Sequence, residues 1–114
     1  MSKRVLASQF SDSKGCYNNN NLNDGEYYYA ELSNNPDDPN KKYDYQALGG
    51  LSKFHKLKIT YNGNFVIAKK GDVGRGKKET GGQFAGNIRK IDLHTKTADA
   101  LKFNGLDFVT IENA

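Results

Sequence analysis

The most regular alternation of hydrophobic and polar residues lies near the middle of the chain. Apolar residues occupy every second position there, between lysines and a threonine: Leu57, Ile59 and Tyr61. This period of two predicts a half-buried β-strand. The following Asn62-Gly63 suits a type I′ turn, whose two central residues both have positive φ. Because the apolar segment 65–68 then returns, the pattern predicts a β-hairpin.

Shorter apolar segments predict the other strands, at residues 4–10, 27–32, 88–93 and 106–112. Thr95 is a suitable helix N-cap and Gly105 a natural terminator, so residues 95–103 are predicted to form one short helix. Sequences rich in Asn, Gly and Pro predict long polar loops at about residues 11–25, 34–46 and 71–87. This order predicts a mainly β fold, a small six-stranded closed barrel with one short helix.

Length and composition refine this picture. A chain of 114 residues suits a single domain spanning residues 1–114. Hydrophobic residues make up only 36% of it, so we expect a small core that relies on its seven Tyr and six Phe. Cys16 is the only cysteine, which excludes an internal disulfide.

The sequence also bears on location. No apolar run approaches the roughly 20 residues of a membrane-spanning helix, so we expect no membrane span. Residues 1–7 carry positive charge but lack the apolar segment of a signal peptide. This favours a cytoplasmic or virion-associated location, unless a signal was removed from a secreted or cell-wall protein.

The net charge of +4 is unevenly distributed. Residues 51–114 contain twelve Lys or Arg and six Asp or Glu, a balance of +6, whereas residues 1–50 have a balance of −2. The basic half could attract a polyanion, either a nucleic acid or an acidic cell-wall polymer. A solvated lysine-rich surface explains the same charge and is the interpretation we favour.

Motifs for nucleotides and metals are incomplete. The sequence from Gly71 to Lys78 is close to a P-loop, but Lys78 replaces the Ser or Thr that binds Mg²⁺, and no helix is predicted to follow. His55 and His94 are far apart and lack neighbouring Cys or His. We therefore expect no nucleotide, no metal and no other cofactor.

Two aspartates stand out by position. Asp72 follows the predicted hairpin, and Asp92 interrupts the apolar strand Ile91-Asp92-Leu93 directly before the predicted helix. Asp92 therefore points away from the core, either towards solvent, towards the helix N-terminus, or into a site. On spacing alone, we favour a structural role for Asp92, with its side chain in solvent or at the helix N-terminus.

The order of several short motifs resembles the RlpA-like double-psi β-barrels, which share their barrel with expansins, barwin-type proteins and one class of lytic transglycosylase. The resemblance covers residues 4–10 and 47–112. The motifs that carry it are Ala7-Ser8-Gln9-Phe10, Ala47-Leu48-Gly49-Gly50, Lys56-Leu57-Lys58-Ile59-Thr60-Tyr61-Asn62-Gly63, Gly71-Asp72-Val73-Gly74, Arg89-Lys90-Ile91-Asp92-Leu93 and Ala98-Asp99-Ala100-Leu101.

The resemblance implies a catalytic site. Asp92 matches the catalytic acid of active members, Asp72 lies beside it, and the Ser8 hydroxyl hydrogen-bonds within the same groove. The chain departs from the family by an insert around residues 77–87, by Val73 where expansins have an aromatic residue, and by His94 before the helix. The insert could cover the groove, deepen it or reposition Asp72.

Three functions follow from the resemblance. The first is lytic-transglycosylase-like cleavage of peptidoglycan or a related polysaccharide. The second is a non-catalytic, expansin-like module that binds polysaccharide. The third is a phage or virion protein that uses the barrel as a scaffold. The expected partner is a peptidoglycan-type glycan rather than a nucleic acid, and the oligomeric state stays open. The candidate substrate-binding residues are Tyr27, Tyr29, Phe10 and Arg75.

Overall fold

The computed structural model describes residues 2–35 and 42–114. Its strands are β1 Ser2–Phe10, β2 Tyr28–Leu32, β3 Lys56–Tyr61, β4 Asn64–Gly74, β5 Ile91–His94 and β6 Asp107–Asn113, and its one α-helix in these ranges is α1 Thr95–Leu101. The six strands form a closed barrel in the order β1-β5-β2-β4-β3-β6. The prediction of a mainly β, six-stranded closed barrel with one short helix is confirmed. The double-psi connection of its strands stays a prediction.

Two parallel pairs, β1 with β5 and β2 with β4, are joined to antiparallel neighbours around the barrel. The predicted hairpin is present as β3 and β4, with Thr60 opposite Phe65. Asn62 and Gly63 have φ of 47° and 84°, the conformation that the sequence of the turn predicted.

Inward side chains from all six strands form one core. Helix α1 closes part of it with Ala98 and Leu101, which are buried. The helix is shorter than the predicted 95–103, and His94 rather than Thr95 is its N-cap. It ends at Lys102, which adopts the left-handed conformation with φ 52°, so Gly105 is not its terminator. The amide of Phe103 bonds the carbonyl of Ala98 at 3.0 Å and closes the last turn.

The predicted loop 71–87 is wrong at its start, since β4 continues to Gly74 and pairs with β2. Asp72 therefore lies within a strand and not beyond its end. The glycines here serve close packing rather than a turn. A Cβ on Gly71 would lie 2.7 Å from the side chains of Leu22 and Tyr28.

Residues 75–90, which contain the predicted insert of residues 77–87, fold back on themselves. Lys78 and Ile88 form an isolated antiparallel bridge, and Arg89 Nη2 contacts Glu79 Oε1 at 3.0 Å. Phe84 packs edge-to-face on Phe108 of β6, with ring centroids 5.5 Å apart. The insert is thus folded against the outer face of the barrel.

The segment 47–51 is held by a buried carboxylate. Glu31 on β2 is fully buried and accepts hydrogen bonds from the backbone N–H groups of Leu48, Gly50 and Leu51 at 2.8–2.9 Å. The ammonium of Lys70, 5% exposed, binds the same carboxylate at 2.8 Å. One buried ion pair therefore fixes this loop to the barrel.

The other predicted loops are only partly tested. Residues 11–25 lack regular structure apart from an isolated bridge between Lys14 and Asn21, as expected. In the predicted loop 34–46, residues 36–41 lie outside the described residues. No helix in the described ranges has the length and apolar character needed to cross a membrane.

Candidate functional site

One row of outward-facing residues crosses four neighbouring strands. Ser8 on β1 is opposite Asp92 on β5, Asp92 is opposite Ala30 on β2, and Ala30 is opposite Asp72 on β4. We call these four residues the acidic row. The residues that precede its first three members belong to the core: Ala7, Ile91 and Tyr29. The row therefore lies on the outer face, and the barrel brings the three predicted catalytic candidates together.

Ala30 separates the two aspartates. Because strands lie about 4.8 Å apart, the backbones of Asp72 and Asp92 are about 9–10 Å apart. Ala30 is only 2% exposed and Ser8 only 5%, whereas the two aspartates are half-buried. The exposed part of the row is therefore formed by Asp72 and Asp92.

Asp92 is the most buried acid of the row. The Ser8 hydroxyl donates a hydrogen bond to its Oδ1. Burial raises the pKa of Asp92 above its ordinary value of 3.8, while the Ser8 hydrogen bond and the charge of Arg89 lower it. Repulsion from Asp12 and Asp72 also raises this pKa, with Asp72 the smaller of the two. Burial, rather than the paired carboxylate expected from the sequence, is the main cause.

Asp72 is held by backbone donors. Its Oδ1 accepts hydrogen bonds from the N–H groups of Val73 at 2.9 Å and Cys16 at 3.1 Å. Burial raises the pKa of Asp72, and these backbone bonds, with a hydrogen bond from the Cys16 side chain, act against it. In turn, burial and the Asp72 carboxylate raise the pKa of the Cys16 thiol, which disfavours its thiolate. Cys16 therefore positions Asp72 and is not an activated nucleophile.

The loop that carries Cys16 docks closely on β4. Asn20 donates its side-chain amide to the carbonyl of Gly71 at 3.1 Å, and the N–H of Gly15 bonds the carbonyl of Asn20 at 2.9 Å. A Cβ on Gly15 would lie 2.0 Å from the Gly71 carbonyl oxygen. Glycine at position 15 is therefore required for the loop to reach the acidic row.

Asp12 and His94 are in contact beside the row, although the sequence gave no role to Asp12 and offered His94 only as an unsupported metal ligand and as the residue before the helix. The carbonyl of Asp12 contacts Nε2 of His94 at 2.7 Å, and the Asp12 carboxylate raises the pKa of both Asp72 and Asp92. Since a carbonyl only accepts, Nε2 carries the proton. Nothing in the sequence marked Asp12, because it lies in a polar loop whose path depends on the fold.

The predicted substrate-binding residues are dispersed. Phe10 packs edge-to-face on His94, at the end of β1 beyond Ser8. Tyr27 is half-buried beneath the ammonium of Lys96 on α1, and the guanidinium of Arg75 lies 5.2 Å from the ring centre of Tyr43.

Tyr29 is fully buried in the core and donates its hydroxyl to the carbonyl of His55. Its prediction as a sugar-binding residue is wrong, because the period of the strand turns it inwards.

The acidic row does not line the cavity described next, and it does not form a metal centre. A cavity of about 200 Å³ lies near the opposite end of β1, lined by Leu48, Leu57 and Ile111 among others. Within residues 2–35 and 42–114, no three His, Cys, Asp or Glu side chains are grouped so as to hold a metal ion.

No protein-family model and no curated protein matches this chain. The function of the acidic row must therefore be argued from its own chemistry and from the motif resemblance.

Proposed function

We propose that this protein is a cell-wall glycan-active barrel of the RlpA-like, double-psi type, and that it cleaves peptidoglycan or a related polysaccharide with Asp92 as general acid/base. The observation that supports this most directly is the half-buried Asp92 carboxyl, which accepts a hydrogen bond from Ser8 and has a raised pKa. An acid with a raised pKa keeps its proton closer to neutral pH.

The proposed reaction needs one such acid. Protonated Asp92 gives its proton to the bridging oxygen as the bond from that oxygen to the anomeric carbon breaks. A hydroxyl group of the same sugar attacks the anomeric carbon and yields its proton to the Asp92 carboxylate. The product is an anhydro-sugar, no water is consumed, and Asp92 ends in its starting state. A second carboxylate at glycosidase spacing is therefore unnecessary.

Asp72 has a supporting role in this proposal. At about two strand spacings from Asp92, its effect on the pKa of Asp92 is small. Its Oδ1, which the N–H groups of Val73 and Cys16 hold in place, suits hydrogen bonding to a sugar hydroxyl. We therefore assign Asp72 to substrate orientation rather than to proton transfer.

The assay is release of soluble anhydro-muropeptides from purified peptidoglycan. Wild type is expected to release them, and Asp92→Asn to release at least about 100-fold less, since general acid catalysis contributes about 10²–10⁴-fold. The activity should fall as the pH rises through the pKa of Asp92, because the carboxyl then loses its proton. Since the Ser8 hydrogen bond lowers this pKa, the fall should occur at a higher pH in Ser8→Ala. Ser11→Ala, an exposed neighbour, is the matched control and should leave the profile unchanged.

A second candidate is a non-catalytic, expansin-like binding module. The separation of the two acids by Ala30 favours it, because two such carboxylates can bind hydroxyl groups without any proton transfer. Sedimentation of wild type with peptidoglycan, without product release, would support this module over the enzyme. No binding to any glycan would favour the third candidate, a phage or virion scaffold.

A further inference from the structure

Two aromatic side chains from separate loops meet beside the acidic row. Tyr17 directly follows Cys16, whose N–H binds Asp72. Phe54 lies in the segment before β3, and its N–H donates to the carbonyl of Lys70 at 3.0 Å. Lys70 precedes Asp72 by two positions on β4, which corresponds to about 7 Å. Both loops are thus tied to β4 next to Asp72.

The two rings form a corner rather than a flat stack. Their centroids are 5.7 Å apart and their planes meet at 66°. Phe54 is 40% exposed, and Tyr17 is half-buried. The corner therefore presents aromatic surface to solvent at the Asp72 end of the row.

The backbone of Phe54 is unusual for such a residue. Its φ is 62°, in the left-handed region that a bulky L-residue rarely adopts. Positive φ occurs nearby at Gly49 and Gly50, and also at another aromatic residue, Tyr45, with φ 51°. Since much of the Phe54 ring also stays exposed, neither backbone preference nor burial explains phenylalanine at this position. Strained residues of this kind concentrate at functional sites.

Positive charge accompanies the aromatic corner. The ammonium of Lys53 lies 5.6 Å from the ring centre of Phe54. The ammonium of Lys70 lies close enough to the Tyr17 hydroxyl to oppose the effect of burial on its pKa. Since the Lys70 ammonium is buried and paired with Glu31, the corner combines aromatic faces with one exposed cation, Lys53.

We propose that Tyr17 and Phe54 form a sugar-stacking subsite, which holds one pyranose ring of a glycan whose next linkage lies over the acidic row. This inference rests on the proposed function. The C–H face of a pyranose is apolar and packs on an aromatic face, while its edge hydroxyls bond polar groups such as Asp72. Lys53 adds a preference for a sugar that carries a carboxylate.

The decisive variant is Phe54→Gly. Glycine adopts a φ of 62° without strain, so this substitution removes the ring and relieves the backbone at once. Binding to purified peptidoglycan, measured by sedimentation over a range of polymer concentrations, should weaken by about threefold to tenfold. The melting temperature should be unchanged or higher. Phe65→Ala, an exposed phenylalanine on the outer face of the β3–β4 hairpin, is the control and should bind like wild type.

The outcomes separate this inference from the proposed function. Wild-type binding with weaker binding by Phe54→Gly, at an undiminished melting temperature, supports the subsite. Equal binding by wild type and Phe54→Gly overturns the subsite and leaves the proposed function intact. A lower melting temperature of Phe54→Gly also overturns it, because Phe54 would then serve packing. Absence of wild-type binding overturns both.

Discussion

The buried pair of Glu31 and Lys70 gives the sharpest stability prediction. Glu31→Gln keeps the volume of the side chain but leaves the 5%-exposed ammonium of Lys70 without its counter-charge. In the wild type, three backbone N–H groups donate to the carboxylate oxygens of Glu31. The substitution places an amide NH₂, which cannot accept these hydrogen bonds, in the position of one of the oxygens. Removing one partner of a buried ion pair costs about 3–5 kcal/mol. This is a large share of the roughly 5–15 kcal/mol that stabilises a domain.

The assay is urea unfolding followed by circular dichroism. With a slope of about 1–3 kcal/mol per molar urea, the expected loss moves the midpoint by at least about 1 M. The chain offers a control pair, because Glu26, 61% exposed, lies 3.7 Å from the half-buried Lys69, which directly precedes Lys70. Glu26→Gln should change the free energy of unfolding by less than about 1 kcal/mol.

A second substitution isolates the charge. Adding Lys70→Met to Glu31→Gln removes the unpaired ammonium, so the double variant should be more stable than Glu31→Gln alone. A Glu31→Gln protein within about 1 kcal/mol of wild type, with an unchanged slope, would refute the reasoning. It would mean that water or a local rearrangement solvates Lys70.

Three further outcomes are expected. Asp92→Asn should raise the melting temperature at pH 7, because burial raises the pKa of Asp92 and ionisation of this carboxyl lowers stability as pH rises through that pKa. This gain in melting temperature should disappear below about pH 3.8, where Asp92 is protonated in both the folded and the unfolded protein. Gly15→Ala should cost about 1–3 kcal/mol in urea unfolding, since its Cβ would lie 2.0 Å from the Gly71 carbonyl oxygen, whereas Gly81→Ala, with nothing within 4 Å, should be nearly neutral. Gly63→Ala should cost about 1–2 kcal/mol in the same assay, because φ there is 84°.

Local patterns in the sequence predicted the barrel well. The alternation before Asn62-Gly63 identified the hairpin, since side-chain period and turn chemistry are both local properties. The length of β4 was underestimated, because it depends on contacts that are not local in sequence. Gly71 and Gly74 suggested a loop by composition, but they are needed where Leu22, Tyr28 and Leu32 pack against the strand. Such close approaches depend on partners distant in sequence.

The acidic row was accessible only through resemblance. Asp92 on its own favoured a structural role, and its pairing with Ser8 and Ala30 follows from strand register around a closed barrel. Asp12 and Phe54 carried no signal, because each belongs to a loop whose position is set by a few long-range hydrogen bonds. Glu31 was likewise read as part of an ordinary strand, since its four donors lie 17 or more residues away.

The distribution of unfavourable features across the molecule itself supports a functional surface. Asp92 is a half-buried carboxyl whose ionised form is disfavoured, and Phe54 has a left-handed backbone and an exposed ring. The core of the barrel and the Glu31–Lys70 pair include neither residue. Asp92 belongs to the acidic row, which ends at Asp72 on β4, and the N–H of Phe54 binds the carbonyl of Lys70 on the same strand. Because residues that lower stability persist mainly where activity requires them, substitutions at Asp92 and Phe54 should separate stability from activity.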